Sequence, residues 1–385
     1  MEDCDDAAAD HAGTVRGDDV TRALVATGPG ELEVQDVTLR EVGDDDVRVR
    51  IAGVGVCHSD LSMVNGTLRP SYPLELGHEA SGVVTGAGDG AGIDVGRHVV
   101  LNWAVPCDTC WHCTHDQPWL CSTIEGSTGT PGGVLADGTP YDACLGLGAM
   151  AEEVVVSASA VVTLPDEVPL QEAALLGCAI LTGVGAAQNA GHVGVGDAVL
   201  VIGLGGVGLS AVAGARLADV DRVIAVDVSE SKESLARTAG ATDFLVASPD
   251  LAKQVRALTG GRGADVALEC VGSATTIRQA WTAVRRGGTC VVVGVGPKDQ
   301  QVTFNPLELF HFSRTLVSSV YGNSDPRRDI AGLLDHVAAG RLDLAATITD
   351  RIGLDDVPAA FERMQRGEGG RALITFPHHD SEENR

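Results

Sequence analysis

The stretch Val199-Leu-Val-Ile-Gly203-Leu204-Gly205-Gly206-Val207-Gly208-Leu-Ser-Ala-Val-Ala-Gly-Ala215 restricts the fold of this chain more than any other. Its opening Val- and Ile-rich run reads as a strand buried on both faces, the kind found in parallel sheets. The run passes into G-x-G-x-x-G and then into a helix of small residues. Gly203 permits the tight turn, Gly205 lets the backbone approach a pyrophosphate, and Gly208 lets helix and strand pack closely. The helix start offers phosphates its free N–H groups and the positive end of its dipole. Glycine-rich turns are common, and this chain has 49 glycines, so context decides. A second strand, Arg222-Val-Ile-Ala-Val-Asp227, ends in an acid roughly 20 residues on. Asp227 suits the adenosine ribose hydroxyls and would repel a 2′-phosphate, so NAD is expected rather than NADP.

The rhythm continues downstream. Strands are expected at 198–203, 222–227, 243–246, 264–269 and 289–294, with helices near 206–219, 230–239, 250–259 and 274–285. Such alternation specifies a doubly wound parallel sheet. Upstream, Glu31-Leu-Glu-Val-Gln-Asp-Val37, Asp46-Val-Arg-Val-Arg-Ile51, Ser81-Gly-Val-Val84 and Arg97-His-Val-Val-Leu101 are short strands between Gly and Asp clusters. They predict a small antiparallel β-rich domain reaching about Val162. Helical patterning starts near Leu170. After Tyr321-Gly-Asn-Ser-Asp-Pro326 the rhythm stops, and two helical stretches lead to a last strand, Ala372-Leu-Ile-Thr-Phe376. Residues 1–19 read as a disordered acidic tail in which Cys4 has no role, and the acidic residues 378–385 as a fraying end.

A length of 385 residues allows two cores. The formal net charge of -26 argues against nucleic acid or an anionic membrane as partner, since both require basic patches. No apolar run of about 18 residues marks a membrane span. The acidic N-terminus lacks a secretory pattern. A cytoplasmic location is expected, and the 10 cysteines are read as thiols or metal ligands rather than disulfides.

Cys107-x2-Cys110-x2-Cys113-x7-Cys121 is the strongest local signal. Four thiolates in one polar loop can close a tetrahedron around Zn²⁺, and a full set of four leaves no open position, so this zinc is structural. His112 and His115 read as bystanders. A second set is dispersed over Gly55-Val-Cys57-His58-Ser59-Asp60, Gly77-His78-Glu79 and Gly177-Cys178. Together these offer Cys, His and Cys, the three-ligand set that keeps a fourth position for water or substrate. Cys270 and Cys290 fall on expected parallel strands and read as small apolar residues.

From about Thr21 to Phe376 the chain resembles the zinc-dependent medium-chain alcohol dehydrogenases of the longer type with a four-cysteine lobe. The resemblance implies an α/β fold, a Rossmann doubly wound parallel sheet plus a β-rich GroES-like catalytic domain. The catalytic domain would cover 20–179 and 321–377 with its zinc lobe at 103–125, and the NAD-binding domain 180–320. Two zinc ions per chain are implied, a catalytic one on Cys57, His78 and Cys178 and a structural one on Cys107, Cys110, Cys113 and Cys121. Asp60 resembles the carboxylate that orients the histidine ligand. Glu79 resembles the acid that approaches the metal during ligand exchange, and Ser59 the hydroxyl that bonds the alcohol oxygen.

Lys232 matches a ribose contact beside Asp227, and His58 and Arg371 match pyrophosphate contacts. Thr182, Val207, Val293 and Val295 match the nicotinamide surroundings, with Leu204, Gly206, Val271 and Tyr321 completing the cofactor set. Trp103, Leu68 and Met150 fall at substrate-pocket positions. The implied reaction is hydride transfer between a small alcohol and NAD, with zinc as Lewis acid at the oxygen and the proton leaving through Ser59. A homodimer paired through strands near 298–320 is expected, with a tetramer as second choice.

Three positions depart from relatives. Ser62 stands where liver-type enzymes end their proton relay in a histidine, and a hydroxyl can pass a proton but not store one near neutral pH. Leu68 and Glu125 stand where glutathione-dependent formaldehyde dehydrogenases use an acid and an arginine. That counts against a glutathione adduct as substrate and leaves another thiol cofactor open. His58, in place of an arginine, should hold pyrophosphate less tightly. Two other classes stay open: a nicotinoprotein whose bound NAD is recycled by an external acceptor, and a non-catalytic sensing protein. The second is disfavoured, because all seven cysteine and histidine ligand candidates are kept. Trp103 and the segment from Gly126 to Gly148 are expected to shape the choice of alcohol, and Cys144 within it has no assigned role.

Overall fold

The computed structural model of the protein describes residues 19–124 and 129–376. The expectations for residues 1–18 with Cys4, for Glu125 and Gly126, and for 378–385 lie outside the described residues. The Val/Ile run forms the strand Ala198–Ile202, all of it buried. It lies inside a six-stranded parallel sheet ordered Asp243–Val246, Arg222–Asp227, Ala198–Ile202, Ala264–Glu269, Val284–Val292 and Thr315–Ser318. In chain order this is 3-2-1-4-5-6, and such a sheet binds ligands where the order reverses, outside the carboxyl end of its first strand. Alternate strand residues feed two cores. Val199, Val201 and Val223 pack with Leu209 and Val212 of the helix Gly206–Leu217, while Leu200, Ile202 and Ile224 pack with Trp281 on the other face.

Helix and strand meet earlier than the sequence suggests near residue 284. The helix Ala274–Ala283 gives way at once to Val284–Val292. Ala264 pairs with Val284, a bulge passes residues 285–288, and pairing resumes at Val266 and Thr289.

The mostly antiparallel part, in which Leu74–Glu75 with Pro140–Ala143 and Ile348–Ile352 with Arg371–Thr375 are parallel pairs, holds two β units over one core that includes Leu24, Ile51, Leu74, Val84 and Phe361. A closed barrel joins Val20–Gly28, Glu31–Leu39, Thr130–Leu135, Pro140–Ala143 and Leu74–Glu75. Beside it, a seven-stranded sheet runs Val161–Thr163, His98–Leu101, Ala80–Ala87, Asp46–Gly55, Arg371–Thr375 and Ile348–Ile352, with Glu153–Ser157 also on Asp46–Gly55. The last strand thus returns to the first half of the chain. Leu373 pairs with Gly55, and the Val56 N–H donates to the Ala372 carbonyl at 3.0 Å. A third core, with Leu175, Leu176, Ile180, Leu181, Tyr321 and Ile330, fills the junction between the sheets. Among the described residues no helix is long and apolar enough to cross a membrane.

Candidate active site

Three segments converge at this junction. Cys57 follows the strand Asp46–Gly55 and caps the short helix His58–Val64, His78 precedes the strand Ala80–Ala87, and Cys178 precedes the helix Ala179–Gly185. All three are buried, and one ligand atom from each lies within 4.8 Å of the others. The fully buried Asp60 carboxylate meets Nδ1 of His78 at 3.0 Å and accepts the N–H of Cys57 at 3.1 Å and of Gly77 at 3.2 Å. It draws the ring proton to Nδ1 and leaves Nε2 as the lone-pair donor. Burial pulls the pKa of His78 down, but Asp60 and the two cysteines outweigh it and the net shift is upward. A hydrogen bond from Cys178 holds Cys57 well below the usual thiol range, and the same bond pushes Cys178 up. Two buried sulfurs, one already disposed to lose its proton, beside an oriented imidazole suit a borderline-soft divalent ion such as Zn²⁺.

The lobe is equally compact. The sulfurs of Cys107, Cys110, Cys113 and Cys121 lie within 4.8 Å of one another. The N–H of Cys110 donates to Cys107 Sγ at 3.3 Å, and the N–H of Cys107 to Cys121 Sγ at 3.2 Å. N–H groups of Cys113 and Ser122 hold the Cys110 thiol down at about 5, while burial and the neighbouring sulfurs push Cys113 up to about 12. This donor set fits a closed, structural zinc. His112 meets Gln117 at 3.3 Å, and His115 stacks on Trp111 at 4.2 Å.

At the dinucleotide turn the glycines are required for different reasons. Gly203 has φ +91°, and a Cβ on Gly208 would fall 1.8 Å from the Gly203 carbonyl oxygen. Gly205 has an ordinary φ of -76° and nothing within 4 Å of its Cβ position. Nothing among the described residues therefore demands glycine at 205. Open space over an uncapped helix start fits a pyrophosphate. Asp227 accepts the N–H of Leu204 at 2.8 Å and of Ser229 at 3.0 Å. Buried Lys232 donates to the Gly369 carbonyl, and burial lowers its pKa against the pull of Asp227.

One contact joins the two centres. Buried Arg371 donates to Glu79, the neighbour of His78, and its guanidinium lies 3.1 Å from the Cβ position of Gly206. Glu79 also accepts the Ala179 N–H at 3.2 Å, and burial raises its pKa to about 7 against the pull of Arg371. No local pattern signals this pair, because the two residues are 292 positions apart.

The remaining positions differ in exposure. His58, Val271 and Val295 are exposed, and Ser59, Ser62, Thr182, Val207 and Val293 are half-buried. Ser59 Oγ lies 3.8 Å from Cys57 Sγ. Leu68 and Trp103 are half-buried, with Trp103 edge-on to Tyr321 at 4.7 Å and to His78 at 6.5 Å. Met150 departs from the pocket expectation: it is 0% exposed within the barrel core and has no surface to offer a ligand. Cys144, without a role in the sequence, brings its sulfur within 4.8 Å of the Asp60–His78 pair and donates to Met63 Sδ at 3.3 Å. Cys290 is fully buried, whereas Cys270 lies just past its strand, half-buried against the dinucleotide turn.

The chain as a whole is similar to known proteins. Residues 43–166 match the family model of the alcohol dehydrogenase GroES-like domain, and residues 206–339 that of the zinc-binding dehydrogenases. The chain is 33% identical over 366 residues to an NDMA-dependent alcohol dehydrogenase of Amycolatopsis methanolica, covering 92% of this chain and 98% of that one. It is 32% identical over 371 residues to an S-(hydroxymethyl)glutathione dehydrogenase of Photobacterium damsela subsp. piscicida, covering 92% and 100%. The solved structure of benzyl alcohol dehydrogenase from Acinetobacter calcoaceticus matches with a TM-score of 0.86 at 27% identity, covering 93% and 99%. Fold and site together define an oxidoreductase that combines a GroES-like unit with a parallel dinucleotide-type sheet. The chain belongs to the zinc-dependent medium-chain alcohol dehydrogenases.

Proposed function

We propose that this enzyme interconverts a small alcohol and its aldehyde or ketone using NAD, with one catalytic and one structural zinc per chain. The observation that carries this reading is Arg371, which touches both the acid beside His78 and the start of the dinucleotide helix. In the bound state, zinc would supply Lewis acidity at the alcohol oxygen and NAD would accept the hydride. Cys57 and Cys178 would hold the metal through sulfur and His78 through Nε2, with Asp60 fixing the tautomer. Ser59 Oγ takes the proton from the alcohol oxygen and hands it toward a cofactor ribose hydroxyl and solvent, while Ser62 can relay but not store it.

Gly203, Gly205, Gly206 and Gly208 with Leu204 shape the phosphate cradle, Arg371 supplies positive charge to it, and His58 stands as a further pyrophosphate contact. Asp227 and Lys232 take the adenosine ribose. Thr182, Val207, Val271, Val293, Val295 and Tyr321 surround the nicotinamide. Leu68 and Trp103 exclude water from the alcohol site. Domain limits at 20–179 with 321–377 and at 180–320 follow this division of labour.

We place the enzyme in the cytoplasm, where its nine described free thiols stay reduced. A homodimer, with a tetramer second, is supported by exposed Leu307, Phe310 and Leu316 at the free edge of the parallel sheet. A screen of primary, secondary, aryl and terpenoid alcohols by NADH absorbance tests the function, and zinc-loaded protein inert toward all of them would refute it. A second reading, in which NAD stays bound and an external acceptor recycles it, draws on the likeness to a relative whose name makes its activity depend on an added compound, NDMA. A nicotinamide signal that survives extensive dialysis would establish that variant.

A further inference from the structure

The ligand Cys178 has φ -148° and ψ -76°, outside both the helical and the extended wells. Such a conformation persists only where its surroundings over-determine it. Both flanking peptides are held. On one side the Ala179 N–H donates to Glu79 at 3.2 Å, and on the other the Gly177 carbonyl accepts the hydroxyl of Tyr321 at 2.6 Å.

Tyr321 is itself strained. It has φ +51° and is followed by Gly322 at +71° and Asn323 at +49°. Glycine and asparagine enter the left-handed region readily, so the cost of this turn falls on the bulky aromatic Tyr321. They lie where the chain leaves the strand Thr315–Ser318 for the helix Pro326–Ala338. The amide of Asn189 clamps this turn by donating to the carbonyls of Gly322 at 3.2 Å and Asn323 at 3.3 Å. Asn189 belongs to the π-helical turn Ala186–Ala190, which continues the helix Ala179–Gly185 that Cys178 precedes. Phenylalanine could fill the buried space of the Tyr321 ring. The hydroxyl links the turn directly to the Gly177 carbonyl.

We infer that Tyr321 is a positioning residue for the metal centre. Its hydroxyl fixes the peptide joining Gly177 and Cys178 in the form that aims the Cys178 sulfur at Cys57 and His78, and its backbone anchors that peptide to the crossing between the sheets. This inference rests on the metal-centre reading above.

Cobalt-loaded, cofactor-free full-length protein supplies a readout separate from turnover, because the thiolate and ligand-field bands report ligand geometry. Tyr321→Phe keeps the ring and removes the hydrogen bond. Asn189→Ala loosens the same turn from its other side without touching the cluster. Both variants should shift the bands of the Cys57–His78–Cys178 site, and a chelator should strip that site about 10-fold faster than in the unsubstituted protein. Lobe bands should stay put, which also verifies folding. Unshifted bands and an unchanged stripping rate would overturn the inference. So would a change confined to NADH affinity, which would leave Tyr321 as a cofactor contact only. Unsubstituted protein that binds cobalt only in the lobe would instead refute the metal-centre reading itself, and the inference with it.

Discussion

The Asp60 carboxylate stands 3.0 Å from Nδ1 of His78, and neither side chain is more than 1% exposed. Asp60→Asn keeps the shape but weakens the hold on the ring proton and turns an amide toward the N–H groups of Cys57 or Gly77. Affinity for the catalytic metal should fall by about 10–100-fold, read by chelator competition, with the lobe metal retained. Unchanged affinity would reduce Asp60 to a cap for the helix His58–Val64.

The two cysteine sets should fail differently. Cys57→Ser should halve the zinc content and abolish alcohol oxidation while NADH still binds. Cys110→Ser should also halve the zinc content, but lower the thermal midpoint, by on the order of 5 °C, before it touches chemistry. Metal analysis, calorimetry and NADH titration separate these outcomes. Identical losses in both variants would contradict a division into reactive and structural centres.

Gly205 and Gly208 predict opposite balances between stability and binding. In Gly208→Ala the new methyl meets the Gly203 carbonyl, so the turn must shift, costing about 1–3 kcal/mol or more in urea unfolding. In Gly205→Ala the protein has room, and stability should hold within about 0.5 kcal/mol. NADH affinity should nevertheless weaken by roughly tenfold, because the methyl occupies the ligand's space. Full NADH affinity in Gly205→Ala would move the pyrophosphate elsewhere.

Glu75 gives the barrel a pH dependence. It is 2% exposed, and its Oε1, like the Tyr141 hydroxyl, has no partner among the described residues. Burial raises its carboxyl pKa well above the ordinary 4.5. The folded protein therefore keeps a proton that the unfolded chain gives up. The associated stability is complete below about 4.5 and is lost as pH rises through the folded value. Glu75→Gln cannot ionise, so its urea midpoint should fall less than that of the unsubstituted protein between about pH 5 and 8. Parallel pH profiles would show that Glu75 is charged inside the barrel.

What could be read from the sequence follows the range of each signal. The strand Ala198–Ile202 and its turn were legible within a residue, because a Val/Ile run ending in glycine carries its own period and stop. The lobe was legible because its ligands fall between Cys107 and Cys121. The dispersed ligands Cys57, His78 and Cys178 took their meaning from family resemblance. Arg371 on Glu79, Lys232 on Gly369 and Tyr321 on Gly177 span 292, 137 and 144 positions and leave no local trace. The edge strand Ile348–Ile352 escaped notice because Asp350 puts a charge on the half-buried face where alternation calls for an apolar residue. The left-handed tyrosine was invisible for a related reason: turn chemistry points to Gly and Asn, not to an aromatic ring.

The strand Arg371–Thr375 lies against residues 53–55 and braces the segment that leads to Cys57. A nascent chain leaving the ribosome therefore exposes its thiol-bearing amino-terminal sheet long before the strand that closes it has been translated. A premature stop after the dinucleotide half would leave an open β edge beside oxidisable sulfur, a combination prone to aggregation. Closure of the amino-terminal sheet thus waits for the strand Arg371–Thr375, among the last segments to be translated.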